Sequence, residues 1–138
     1  MIVLDTSVVY ALLDRRDGRH QEAVTWYPSV DDELVTSPLV VAEVDCLVRR
    51  AGVRGSAAWR REVASGSFLI EWWPGIVDTM VDVADRYGDL GISLTDASLV
   101  ALAARLDTTG IATFDERHFR AMSPLTGEPA FTLLPADA

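Results

Sequence analysis

The chain alternates between short unbroken apolar runs and longer stretches whose apolar residues recur every three or four positions. The first run, Met1-Ile2-Val3-Leu4, stops abruptly at Asp5-Thr6-Ser7. A continuous apolar run of strand length reads as a strand buried on both faces, as in a parallel sheet with helices on either side. Thr6 or Ser7 is then the expected helix cap, and Val8 to Leu13 supply the apolar turns. This puts Asp5 at the carboxyl end of a central strand beside a helix N-terminus, where ligands bind in open α/β sheets.

The same pattern continues. His20 to Tyr27 reads as a helix interrupted at Pro28, and Glu33-Leu34-Val35-Thr36 as a second strand. Ser37-Pro38 is a strong helix start, a cap followed by proline at the first helical position. That helix runs to about Ala51 and ends at Gly52; a more basic one follows over 54–64, closed by Gly66. Phe68 to Trp72 reads as a third strand, Ile76 to Tyr87 as a helix with a solvated acidic face, and Ser93 to Leu106 as a helix apolar on nearly all sides, hence buried. Gly110 to Phe114 is a strand ended by Asp115, residues 116–122 form a helical turn, and Phe131 to Leu134 is a final edge strand. Alternating strands and helices predict one three-layer α/β/α domain over residues 1–138 around a mostly parallel sheet.

Composition narrows this little. With 138 residues the chain can bury roughly two thirds of its unfolded surface. No apolar run approaches a membrane span, and no basic segment precedes the N-terminal run as a signal peptide requires. The single cysteine, Cys46, is expected in the core. A cytoplasmic protein is the expectation.

Charge changes the picture more. The net charge of −9 argues against indiscriminate nucleic-acid binding. Residues 46–61 nevertheless hold Arg49, Arg50, Arg54, Arg60 and Arg61 and no acid, a local +5 that leaves −14 for the remainder. There is no lysine, so every fixed side-chain cation is a guanidinium, which grips phosphate bidentately. A solvated helix face is the other reading of this cluster.

Two strands end in aspartates, Asp5 and Asp115, which a parallel sheet aims at one edge. Asp96 lies in the first turn of the buried helix, and Glu43 sits mid-helix in Leu-Val-Val-Ala-Glu-Val-Asp-Cys-Leu-Val, among residues suited to a core. Buried Glu is rare unless paired or metal-bound. Two carboxylates 5 Å apart repel by about 3 kcal/mol at an effective dielectric near 20, so four at one edge require a cation. Oxygen ligands with no cysteine among them and few histidines in the chain select Mg²⁺ or Mn²⁺ rather than zinc.

The segments Asp5-Thr6-Ser7, Glu43, Thr95-Asp96-Ala97-Ser98-Leu99-Val100-Ala101-Leu102-Ala103 and Thr113-Phe114-Asp115 with His118-Phe119 resemble the PIN-domain nucleases. The size and the ending Phe131-Thr132-Leu133-Leu134-Pro135 resemble the VapC toxins of bacterial toxin–antitoxin pairs. This resemblance implies a metal-dependent ribonuclease whose Mg²⁺ (or Mn²⁺) site maps onto Asp5, Glu43, Asp96 and Asp115, with Thr6, Ser7 and Thr113 as supporting hydroxyls. It also implies an RNA substrate, a cognate antitoxin, a homodimer and no membrane association. A non-catalytic PIN-like binding module is the rival reading. Arg49, Arg50, Arg54, Arg60, Arg61 and Arg117 are the candidate RNA contacts. His118 reads as a surface residue with assistance or substrate contact as the alternative, and the four tryptophans as packing groups with base stacking as the alternative. Receiver domains and haloacid-dehalogenase-type phosphatases fail because both need a lysine near their acids.

Overall fold

The computed structural model describes residues 1–138, the side chain of Val53 excepted. Five strands form one sheet: β1 (Ile2–Leu4), β2 (Leu34–Thr36), β3 (Leu69–Ile70), β4 (Gly110–Ala112) and β5 (Thr132–Leu134). Their order is β3-β2-β1-β4-β5 and every pairing is parallel. Seven α-helices connect or follow them: α1 (Thr6–Leu13), α2 (His20–Trp26), α3 (Pro38–Ala51), α4 (Val53–Ser65), α5 (Ile76–Arg86), α6 (Leu94–Arg105) and α7 (Glu116–Ala121).

All three residues of β1 and of β2 are buried although successive side chains point to opposite faces, so both faces of the central sheet are covered. The chain builds outward from β1 to β2 and β3, then crosses back to lay β4 on the other side of β1. The sheet order therefore reverses between β1 and β4. At such a switch point the connections leave in opposite directions and open a crevice beyond the carboxyl ends of the two strands.

The helices take the forms their caps dictate. Ser37 caps α3 through Val40 N, with Pro38 at the first helical position. Gly52 closes that helix at φ +118°, a conformation glycine tolerates without steric cost. Helix α6 is buried without a break from Ala97 to Ala103, as its unpatterned apolar sequence predicts. Its Ser98 hydroxyl meets the Ser37 hydroxyl at 2.8 Å, both fully buried, which ties the N-terminus of α3 to that of α6.

The strand expected over Gly110 to Phe114 ends at Ala112, and three further expectations change. The third strand shortens from five residues to two, because Leu69 and Ile70 lie on an exposed sheet edge where only β2 offers partners. Cys46 is exposed rather than in the core. Glu43 is exposed as well. The buried stripe of α3 is Val40, Val44 and Val48, one residue per turn, and its apolar sequence hid the fact that only that stripe faces inward. Among the described residues no helix is long and apolar enough to cross a membrane.

Candidate metal centre

Asp5 is the first residue beyond β1, and its backbone N–H donates to Ala112 O at 3.0 Å, carrying the β1–β4 pairing up to the carboxylate. It is only 5% exposed. It is also the cap of α1, accepting from Ser7 N at 3.4 Å, so the expected caps Thr6 and Ser7 become the first two helical residues instead. A carboxylate suits that place because it accepts orphan N–H groups at the positive end of the helix dipole.

Its side-chain partners are one from its own helix and one from across the switch point. Ser7 Oγ donates to Asp5 Oδ2 at 2.6 Å and Thr113 Oγ1 donates to the same atom at 2.7 Å. These hydroxyls in turn accept from Phe114 N and Asp115 N, both at 2.9 Å. Two hydroxyls thus link the backbone leaving β4 to the carboxylate ending β1. Burial pushes the Asp5 carboxyl above its usual range, the Ser7 and Thr113 bonds pull it back, and the nearby Asp96 charge pushes it up again.

Asp96 is fixed by a capping box at the start of α6. Ser93 Oγ accepts from Asp96 N at 3.0 Å, and Asp96 Oδ2 accepts from Ser93 N at 3.4 Å. Burial raises its carboxyl too, the Ser93 bonds oppose that, and Asp115 adds to the rise. Asp115 caps α7 through His118 N at 3.2 Å. The His118 ring turns back toward the acids, with Nδ1 2.8 Å from Asp115 Oδ2 and 3.7 Å from Asp96 Oδ2. That nitrogen is buried and aligned for a hydrogen bond with neither. One donor atom each from Asp96, Asp115 and His118 lie within 4.8 Å of one another.

These groups border an opening of about 350 Å³ lined by Asp5, Thr6, Ser7, Glu43, Asp96 and Asp115, with Tyr10, Asp17, Arg19, Leu47 and Phe114 completing the wall. All four acids singled out by sequence therefore face one space, three from element starts and Glu43 from the exposed flank of α3. Thr6 is 5% exposed, and its hydroxyl is buried without a hydrogen-bond partner beside these carboxylates. A buried hydroxyl rarely goes unpaired. An orphan in a wall of carboxylates fits a hydrated divalent cation, whose water would be its partner, and the carboxylate-rich donor set fits Mg²⁺ or Mn²⁺.

Arg49, Arg50, Arg54, Arg60, Arg61 and Arg117 are all exposed, and none lines the opening. Arg49 pairs loosely with Asp45 at 3.7 Å. Two residues escaped the sequence reading. His118 belongs to the acid cluster rather than to the open surface, and the Asp115-to-His118 spacing, which puts both on one helix face, was the available signal. Arg19 lies with its guanidinium over the Phe114 ring, 4.4 Å from the centroid, a contact across 95 residues that no local pattern announces. Of the tryptophans, Trp59 and Trp26 are buried, Trp73 packs beneath Arg105, and Trp72 is exposed.

Comparison with known proteins bears on the fold and the family. The PIN domain family matches residues 2–123. Ribonuclease VapC26 of Mycobacterium tuberculosis (strain ATCC 25618 / H37Rv) is 37% identical over 136 residues, 97% of this chain and all of the relative. The crystal structure of Mycobacterium tuberculosis VapC20, described as a sarcin–ricin-loop-cleaving toxin, superposes with a TM-score of 0.78 at 24% identity, covering 84% of this chain and 91% of its own. A toxin–antitoxin complex from Klebsiella pneumoniae gives 0.66 at 18% identity over 96% of both chains. The structural likenesses speak for the fold, the family match and the 37% relative for descent: the chain belongs to the PIN-domain family.

Proposed function

We propose that the protein is a metal-dependent endoribonuclease, the toxin of a toxin–antitoxin pair, cutting RNA phosphodiester bonds with a metal-activated water. The observation that carries this reading is the convergence of Asp5, Glu43, Asp96 and Asp115 on one opening at the sheet switch point. The ribonuclease identity of the 37% relative supports it, and so does the likeness to structures described as toxins and toxin–antitoxin complexes.

In this reading Asp5, Glu43, Asp96 and Asp115 hold Mg²⁺, or Mn²⁺, which when bound lowers the pKa of a water and offsets charge on the phosphodiester. Ser7 and Thr113 keep Asp5 oriented by donating to one of its oxygens, leaving the other for the cation. The capping box does the same for Asp96. Thr6 holds a water through its otherwise unpartnered hydroxyl. Fixing the attacking water and the phosphate in one wall removes most of the orientational cost of a bimolecular step. No side chain serves as nucleophile.

The same reading assigns a cognate antitoxin as partner, the cytoplasm as location, and a homodimer that uses part of the helix pair over residues 38–64. The deciding experiment is RNA cleavage by purified protein with Mg²⁺, with EDTA, and with EDTA followed by excess Mg²⁺. Cleavage that EDTA abolishes and Mg²⁺ restores is the expected result; cleavage indifferent to EDTA removes the metal from the mechanism, and no cleavage of any RNA favours a binding module.

A further inference from the structure

The wall of the acidic opening contains five carboxylates, those of Asp5, Asp17, Glu43, Asp96 and Asp115, and only one of the chain's twelve arginines, Arg19. A polyanion approaching such a wall meets repulsion everywhere except at that residue. Arg19 is not spent on the acids of the centre. Its Nε lies 2.9 Å from Glu22, one turn further along the chain, and neither terminal nitrogen makes a hydrogen bond among the described residues. The guanidinium lies on the face of Phe114, and that ring belongs to the residue whose N–H is held by Ser7 Oγ, immediately before Asp115.

The segment carrying Arg19 is held on both sides. Asp14 accepts from Arg16 N at 3.0 Å and from Tyr10 Oη at 2.6 Å, and Asp17 accepts from Arg19 N at 2.8 Å. Tyr10, Asp17 and Arg19 all border the opening. A planar cation stacked on a ring, with two N–H-bearing nitrogens free at the mouth of a nuclease-type site, is poised for bidentate contact with a phosphate.

From this geometry we infer that Arg19, stacked on Phe114, is the substrate-binding residue that grips a backbone phosphate of the RNA strand entering the metal centre. Phe114 is its positioning residue. This rests on the ribonuclease reading above. The contact supplies binding rather than chemistry, because Arg19 is not one of the acids assigned to the metal. Its loss should raise the dissociation constant and KM while leaving kcat nearly unchanged.

The test measures binding of a single-stranded RNA oligonucleotide at several salt concentrations, together with cleavage kinetics and calorimetric Mn²⁺ binding. The variants are Arg19→Ala, Arg19→Lys, Phe114→Leu and Glu22→Gln. Arg19→Ala should bind RNA about tenfold more weakly, and its salt slope should fall by about 0.7, the share of one phosphate on a single strand. Mn²⁺ affinity should be undiminished, since a cation has left the neighbourhood of the acids. Arg19→Lys should recover only part of the binding, and Phe114→Leu should weaken binding less than Arg19→Ala does. Glu22→Gln should keep wild-type binding. RNA binding by Arg19→Ala as tight as wild type, or an equal loss in Glu22→Gln, overturns the assignment; the latter would make Arg19 a structural ion pair only. A wild-type protein that neither binds nor cuts RNA overturns the ribonuclease reading itself, a result distinct from a nuclease in which Arg19 alone proves silent.

Discussion

Asp5 and Arg60 carry the two kinds of charge that the proposed chemistry uses, and the fold treats them in opposite ways. Asp5 is buried, caps a helix, and accepts from the Ser7 hydroxyl of that helix and from the Thr113 hydroxyl just beyond β4. Arg60 stands in solvent on α4 with Arg54 and Arg61, and Arg49 and Arg50 are exposed at the end of α3. The difference follows from what each group must do. A metal ligand has to be held within a fraction of an ångström, so its position is over-determined by backbone and hydroxyls. A phosphate contact on a mobile strand has to adapt, so its side chain stays free and its field acts at a distance. One region holds charge under strain; the other spreads it where it costs little.

The largest expected effect is at the held end. Asp96→Asn keeps the shape and removes a ligand's charge, so RNA cleavage should fall by more than about a hundredfold, the loss that disturbing a ligand's outer partner alone can reach. The metal-free variant should melt no lower than wild type, because a buried like charge has gone. Cleavage at the wild-type rate would remove Asp96 from the site.

Metal and pH sharpen the same contrast. Asp5 and Asp96 have carboxyl pKa values raised in the fold, so the folded state holds protons that the unfolded chain has released above a pKa near 3.9. The sign follows: the contribution of these two groups to metal-free stability is largest at acid pH and falls as pH rises from about 4 through the raised values, opposite in sign to that of Asp14 and Asp137, whose carboxyls are lowered. Mg²⁺ should reverse that loss, adding about 2.7 kcal/mol at a hundred times its dissociation constant. Its stabilising effect should therefore vanish in acid and grow toward neutral pH. Thermal melts against pH, with Mg²⁺ and with EDTA, read this directly; an Mg²⁺ effect equal at all pH values contradicts the buried-acid account.

Thr113→Val tests how far the hydroxyl relay matters. Valine fills the same space but donates nothing to Asp5 and leaves Asp115 N without an acceptor, so stability should drop by about 1–3 kcal/mol. Cleavage should fall further than stability alone explains. Denaturant unfolding beside kinetics at saturating metal separates the two.

The unequal legibility of these regions has the same origin. Strands β1, β2 and β4 and helices α3 and α6 were readable because their signals are local: unbroken apolar runs, Ser37-Pro38, and the nearly continuous apolar stretch after Asp96. Asp5, Asp96 and Asp115 were readable because they stand where elements begin. Glu43 was found for the wrong reason, as a buried acid, when it reaches the opening from an exposed flank. The Ser37–Ser98 bond, the Asp5–Thr113 bond and the Arg19–Phe114 stack join residues 61 to 108 positions apart, and nothing in a linear pattern marks such pairs. The third strand was overextended because apolar Phe68 and Trp72 flank the two residues for which β2 offers partners.

The smallest structural effect, and the sharpest test of the free end, comes from Arg60→Glu with Arg61→Glu. Both side chains are solvated, so stability should change by no more than about 0.5 kcal/mol per site. Metal affinity should not change, because neither residue lines the opening. The local charge nevertheless falls from +5 to +1 in a chain that is −14 elsewhere, so RNA should associate more slowly and with a flatter salt dependence. Stopped-flow association at several ionic strengths isolates this from the chemical step. If association rates match the wild type at every salt concentration, the arginine cluster is a solvated helix face, and the attraction that brings RNA to an acidic protein must come from the opening itself.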